Sequence, residues 1–124
     1  MSKNKKIVIV EDESVIAEMY QIKFEKSGYQ VIKVLDSEKA FETIQKEMPN
    51  LIVLDIIMPG FSGFALLKQF KNDEKLKNIP VVILSNLGDP ADIDKGKAMG
   101  ADDYLIKADN TPSQALEKIE KYIK

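Results

Sequence analysis

Five short apolar runs recur along the chain, each followed by a longer stretch of helical periodicity, and this alternation restricts the fold more than any other feature. The runs are Ile7–Val10, Val31–Val34, Leu51–Leu54, Val81–Leu84 and Tyr104–Ile106. Each is too short to be a core helix, and each is rich in β-branched, leucine or tyrosine residues that suit a pleated surface. Runs without polar alternation read as strands covered on both faces. The first, third and fourth fit this best and are expected at the centre of a sheet. Lys33 interrupts the second, as expected nearer an edge.

The intervening stretches predict five helices. Glu13 to Lys26 carries Ile16, Met19, Tyr20 and Phe24 at helical spacing, and Gly28 supplies a stop. Asp36 or Ser37 caps a second helix running to about Lys46, with Ala40, Phe41 and Ile44 inward and Pro49 just beyond. Ser62 caps a third, striped by Ala65, Leu66, Leu67 and Phe70. Asp89-Pro90 and Thr111-Pro112 each read as a cap followed by a first-turn proline. The fourth helix then ends near Gly100, and the fifth turns Leu116, Ile119 and Ile123 inward. Five βα units imply an α/β fold, a single doubly wound parallel sheet with helices on both faces. Right-handed crossovers leave only a few topologies. At 124 residues the length suits one domain, residues 1–124, with no output domain expected in this chain.

The composition removes several chemistries. The chain has no Cys, His or Trp, and all 18 basic residues are Lys. That excludes disulfides, thiol nucleophiles, imidazole ligands and guanidinium clamps. Carboxylates, Lys, hydroxyls, amides and backbone groups remain, a set that favours hard cations such as Mg²⁺. A net charge of −2 without a basic block argues against direct nucleic-acid binding. The apolar run after MSKNKK is too short for a signal peptide or a membrane span, so a cytoplasmic location without membrane insertion is expected.

Ligand sites in open parallel sheets lie at the carboxyl ends of the strands. Strand one ends in Glu11-Asp12, strand three in Asp55, strand four in Ser85-Asn86 and strand five in Lys107. Each acid alone could simply cap the helix that follows. That reading is weakest for Asp55, because the next helix starts only near Ser62. Three acids brought together repel unless a cation joins them, and Mg²⁺ suits such a site. Lys107 could offset the acids or bind a phosphoryl group, and Ser85 could be a turn residue or donate to a phosphoryl oxygen. Metal, Lys and hydroxyl around one carboxylate are the parts phosphoryl transfer requires, with Asp55 as nucleophile.

The chain resembles the response-regulator receiver domain of two-component signalling. The resemblance rests on Ile7-Val-Ile-Val-Glu-Asp-Glu13, Leu51-Ile-Val-Leu-Asp-Ile-Ile-Met-Pro-Gly60, Ser62-Gly63, Val82-Ile-Leu-Ser85 and Gly100-Ala-Asp-Asp-Tyr-Leu-Ile-Lys107. It implies a flavodoxin-like fold with strand order 2-1-3-4-5. It implies that Asp55 accepts a phosphoryl group from the phosphohistidine of a histidine kinase or phosphotransfer protein. It further implies Mg²⁺ held by Asp12, Asp55 and the Ile57 carbonyl, with Glu11 acting through metal-bound water. Lys107 and Ser85 would bind phosphoryl oxygens, and Tyr104 matches the aromatic switch. Such a domain is a signalling phosphoacceptor, catalysing only its own phosphorylation and dephosphorylation.

Three departures from the family pattern stand out. The family usually has Pro after the Lys, often with a cis bond; here Ala108 predicts a trans bond. Asn86 replaces the usual small residue after the switch hydroxyl. Ile57 and Leu87 are apolar where they would flank the phosphoryl group, which predicts shielding and slow self-dephosphorylation. The expected readout face is helix four, strand five and helix five, with Lys95, Lys97, Lys118 and Lys121 exposed. No dimer interface stands out in the sequence, which leaves a monomer or a phosphorylation-dependent dimer. The alternative function is a pseudo-receiver that binds partners without phosphorylation. A Mg²⁺-dependent phosphatase would need an acid where Ile57 stands. An FMN site would be repelled by Glu11-Asp12-Glu13.

Overall fold

A computed structural model describes residues 5–123. The strands are β1 (Lys6–Val10), β2 (Gln30–Val34), β3 (Leu51–Leu54), β4 (Val81–Ser85) and β5 (Asp103–Ile106). The helices are α1 (Ser14–Lys26), α2 (Ala40–Glu47), α3 (Gly63–Asn72), α4 (Pro90–Ala98) and α5 (Pro112–Glu120). The strands form one sheet in the order β2-β1-β3-β4-β5, parallel throughout. The expected architecture and strand order are therefore present.

Each strand alternates its side chains between two apolar layers. Val8, Val10, Ile52, Leu54, Val81 and Ile83 pack with Ile44 of α2 and Leu66, Leu67 and Phe70 of α3. Ile7, Ile9, Leu51, Val53, Val82 and Leu84 pack with Tyr20 and Phe24 of α1 and Leu116 and Ile119 of α5. Covering both faces explains why the central strands carry uninterrupted apolar runs. β2 lies at one edge, and Lys33 there is half-buried.

Three local expectations need correction. Met19 does not face the core: it is 46% exposed, beside Val15 at 76% and Ile22 at 48%. The inward stripe of α1 is Ala17, Tyr20 and Phe24, so a small alanine takes the place assigned to Met19. Val15, Met19 and Ile22 thus form an outward apolar stripe that the sequence reading did not identify. The second helical segment begins as a 3₁₀ turn over Ser37–Lys39, with Asp36 accepting from the Glu38 N–H. Asp89 precedes Pro90 but makes no side-chain cap, whereas Ser62 caps α3 and Thr111 forms a capping box with Gln114.

Gly63 opens α3 against the end of β3. A Cβ there would lie 2.2 Å from the Asp55 carbonyl oxygen and 2.6 Å from the Ile56 Cα. Those atoms belong to the backbone and cannot swing aside. Gly63→Ala is expected to cost about 1–3 kcal/mol through forced backbone displacement, despite the better helix propensity of Ala. Urea unfolding checks this; an unchanged midpoint would contradict the packing.

Candidate functional site

The parallel register brings the carboxyl ends of β1 and β3 side by side, with Val10 opposite Leu54. The Asp55 N–H donates to the Val10 carbonyl at 3.0 Å, extending that ladder by one rung. Glu11 and Asp55 therefore sit at the ends of neighbouring strands at the rim. Both are buried, while Asp12 is half-buried. One carboxylate oxygen from each of Glu11, Asp12 and Asp55 can be chosen so that all lie within 4.8 Å of one another. This all-oxygen, anionic set fits a hard divalent cation.

Local caps account for only half of the two buried acids. Glu11 Oε2 accepts the Glu13 N–H at 3.0 Å, and Asp55 Oδ1 accepts the Ile57 N–H at 3.2 Å. Their remaining oxygens meet one cation. Lys107 Nζ donates to Asp55 Oδ2 at 2.9 Å and to Glu11 Oε1. Burial raises the Glu11 pKa above its ordinary 4.5, with the Lys107 hydrogen bond opposing and the Asp55 charge adding. Burial pulls the Lys107 pKa down, but its hydrogen bonds to Glu11 and Asp55 outweigh that and leave the pKa above 10.5.

A cleft of about 170 Å³ opens over these groups, lined by Glu13, Asp55, Ile57, Ser85, Asn86 and Lys107. Polar groups from the ends of three strands thus meet in one space. A larger groove of about 390 Å³ runs along α3 beside Phe41, but no candidate site residue lines it. Ile57 borders the cleft, with 58% of its surface exposed. Leu87 is half-buried against the core.

Ser85 is fully buried at the end of β4, and its Oγ accepts the Leu87 N–H at 3.2 Å. The Leu87 carbonyl accepts the Tyr104 hydroxyl. One residue's backbone thus joins Ser85 to Tyr104. The Tyr104 ring is buried beside α4, where a Cβ on Gly96 would come within 3.0 Å of it. Burial raises the Tyr104 pKa above 10.0, with the Asp92 and Asp55 charges adding to it.

Among the described residues there is no cis peptide bond, so Lys107–Ala108 is trans as expected. Lys95, Lys97, Lys118 and Lys121 are all exposed. Lys95 lies 4.4 Å above the Phe64 ring, and Lys118 donates to Asn110 Oδ1 at 2.6 Å. Two supporting residues were not foreseen in these roles. Ser37 donates to the Pro59 carbonyl at 2.8 Å and accepts the Phe61 N–H at 3.0 Å, tethering the loop after β3. Asn110 donates to the Ile106 carbonyl at 2.8 Å, just before Lys107. The buried environment of these polar side chains was the missing signal, and no local pattern carries it.

The response regulator receiver domain family model matches residues 7–120. The chain belongs to this family. Receiver domains are signalling domains of two-component systems, and the acidic cluster here fits the Mg²⁺ pocket of such domains. Among curated relatives, the probable transcriptional regulator ycf27 of Cyanophora paradoxa is 38% identical over 103 residues, covering 83% of this chain and 42% of the relative. The phosphate regulon transcriptional regulatory protein PhoB of Escherichia coli is 34% identical over 116 residues, covering 94% of this chain and 50% of that protein. The chain spans about half the length of the curated relatives it matches. Among solved structures, the chemotaxis protein CheY4 of Vibrio cholerae superposes with a TM-score of 0.89 at 27% identity, covering 96% and 98% of the two chains. The BeF3-activated N-terminal receiver domain of RstA from Klebsiella pneumoniae gives 0.88 at 28% identity, covering 95% and 97%. Among the described residues no helix is long and apolar enough to cross a membrane.

Proposed function

We propose that residues 1–124 act as a phosphorylation switch with Asp55 as the acceptor. The observation that carries this reading is the Asp55 carboxylate lying in the cleft 2.9 Å from Lys107 Nζ, with Ser85 lining the same space. The donor is a phosphohistidine on a histidine kinase or phosphotransfer protein, the kind of partner receiver domains work with. An Asp55 oxygen attacks phosphorus, an O–P bond forms, and the P–N bond breaks with its electron pair returning to the imidazole. Glu11, Asp12, Asp55 and the Ile57 carbonyl would hold Mg²⁺, which when bound offsets charge on the phosphoryl oxygens.

The chain's own groups do the rest. Lys107 turns from the carboxylates toward the new anion. Ser85 accepts from Leu87 and so keeps its own hydroxyl proton to donate to a phosphoryl oxygen. Drawing Ser85 inward pulls on Leu87 and, through its carbonyl, on Tyr104. The added charge thereby biases the α4–β5–α5 face, which a downstream protein would read, in a monomer or a phosphorylation-dependent dimer. The domain works in the cytoplasm as a phosphoacceptor, without contacting nucleic acid directly or entering a membrane.

Beryllofluoride with Mg²⁺, observed by amide NMR, tests the reading. Shifts at Asp55, Ser85, Leu87 and Tyr104 are the expected result. A spectrum unchanged at saturating reagent would support a pseudo-receiver that binds partners without phosphorylation.

A further inference from the structure

Two of the positions that depart from the family pattern touch each other. The Ala108 N–H donates to Asn86 Oδ1 at 2.9 Å, across 22 positions of sequence. Asn86 directly follows Ser85, the last paired residue of β4, and Lys107 directly follows Ile106, its partner on β5. The side-chain bond thus adds one rung beyond the Ser85–Ile106 pair, with a carboxamide standing in for a backbone carbonyl. On the other flank, Asn110 donates to the Ile106 carbonyl at 2.8 Å, and its N–H donates to the Lys107 carbonyl at 3.2 Å. Lys107 is therefore held between two asparagines, one on each side of it in the chain.

We infer that Asn86 is a positioning residue for Lys107, acting through the Ala108 N–H. The turn over Lys107–Asp109 is short and outward-facing, with Ala108 and Asp109 exposed, so little packing fixes it. Its alignment comes from hydrogen bonds, and Asn86 supplies the one that reaches from the strand bearing Ser85. A proline at position 108 would have no N–H to give, so this bond requires a residue other than proline there. The consequence is mechanical coupling. The Lys107 ammonium and the Ser85 hydroxyl, the two protein groups meant for the phosphoryl oxygens, are registered to each other by the residue adjoining each. This inference rests on the phosphoacceptor reading.

The test compares wild type with Asn86→Ala and Asn86→Asp, using beryllofluoride affinity at saturating Mg²⁺, Mg²⁺ affinity alone, and hydrogen exchange at the Ala108 amide. Asn86→Ala is expected to speed Ala108 exchange and to weaken beryllofluoride binding by about two- to tenfold, the scale of one neutral hydrogen bond. Mg²⁺ affinity should stay unchanged, because none of the three clustered acids contacts Asn86. Asn86→Asp keeps the acceptor oxygen and should restore Ala108 protection. A beryllofluoride affinity unaltered by Asn86→Ala overturns the inference, as does a parallel loss of Mg²⁺ affinity, which would mark general loosening of the site. If wild type itself fails to bind beryllofluoride, the phosphoacceptor reading falls and takes this role with it. Failure of the variant alone leaves that reading standing.

Discussion

Asp55→Asn is expected to abolish phosphorylation while leaving the fold intact. The carboxamide lacks the anionic oxygen that must attack phosphorus, so transfer from acetyl phosphate or a kinase should fall at least about 10³-fold. Structurally the change is mild. Asn keeps an oxygen to accept the Ile57 N–H but puts its amide nitrogen where Lys107 donated, so Lys107 loses Asp55 and keeps Glu11 as its partner. Without metal the variant loses one of three acids whose oxygens lie within 4.8 Å of each other, which relieves repulsion. The lost Lys107 contact opposes that relief, so its urea midpoint in chelator should stay close to that of wild type. Radiolabel transfer and urea titration together check this, and labelling of the variant at the wild-type rate would remove Asp55 from the role.

Lys107→Met is expected to have the largest effect on stability, and the effect should depend on pH. The ammonium sits between two carboxylates whose side chains are 3% and 7% exposed. Removing it leaves both without a cation, a loss on the order of 3 kcal/mol, the lower end for breaking a buried pair because the cleft admits water. Burial already raises Glu11 above 4.5, and Lys107 opposes that rise. Deleting the opposition lifts Glu11 further. A group with a raised native pKa stabilises most below its unfolded value, and that contribution fades as pH rises through the native value. The deficit of Lys107→Met should therefore be small below about pH 4.5 and grow as pH climbs toward neutrality. Lys107 itself, raised above 10.5, contributes in wild type below that pH and ceases to as pH passes its native value. The deficit should then shrink again in strong alkali. Added Mg²⁺ should offset part of it, since a ligand that binds only the folded state stabilises that state. Urea titrations from acid to alkali, with chelator and with Mg²⁺, measure all of this; a deficit independent of pH would contradict the ion-pair account.

Much of this was legible in the sequence because strands buried on both faces leave unbroken apolar runs. Reading the residue after each run located Glu11, Asp12, Asp55, Ser85 and Lys107 without any knowledge of strand order. The order itself came from resemblance, because several doubly wound topologies satisfy the same runs. Met19 was misplaced because helical spacing was judged from the larger side chains. The true inward stripe passes through Ala17, whose small side chain gives little signal. The bond between Asn86 and Ala108 could not be read at all. Each residue looked like an isolated departure, and only the parallel register of β4 and β5 brings them within 2.9 Å.

Intact-mass analysis after incubation with acetyl phosphate, with Mg²⁺ or with chelator and followed by peptide mapping, shows whether Asp55 is the phosphoacceptor. One phosphoryl group per chain is expected, present only with Mg²⁺ and mapped to Asp55. A phosphoryl group on another residue, or none at all under conditions that preserve the aspartyl phosphate, would contradict that assignment.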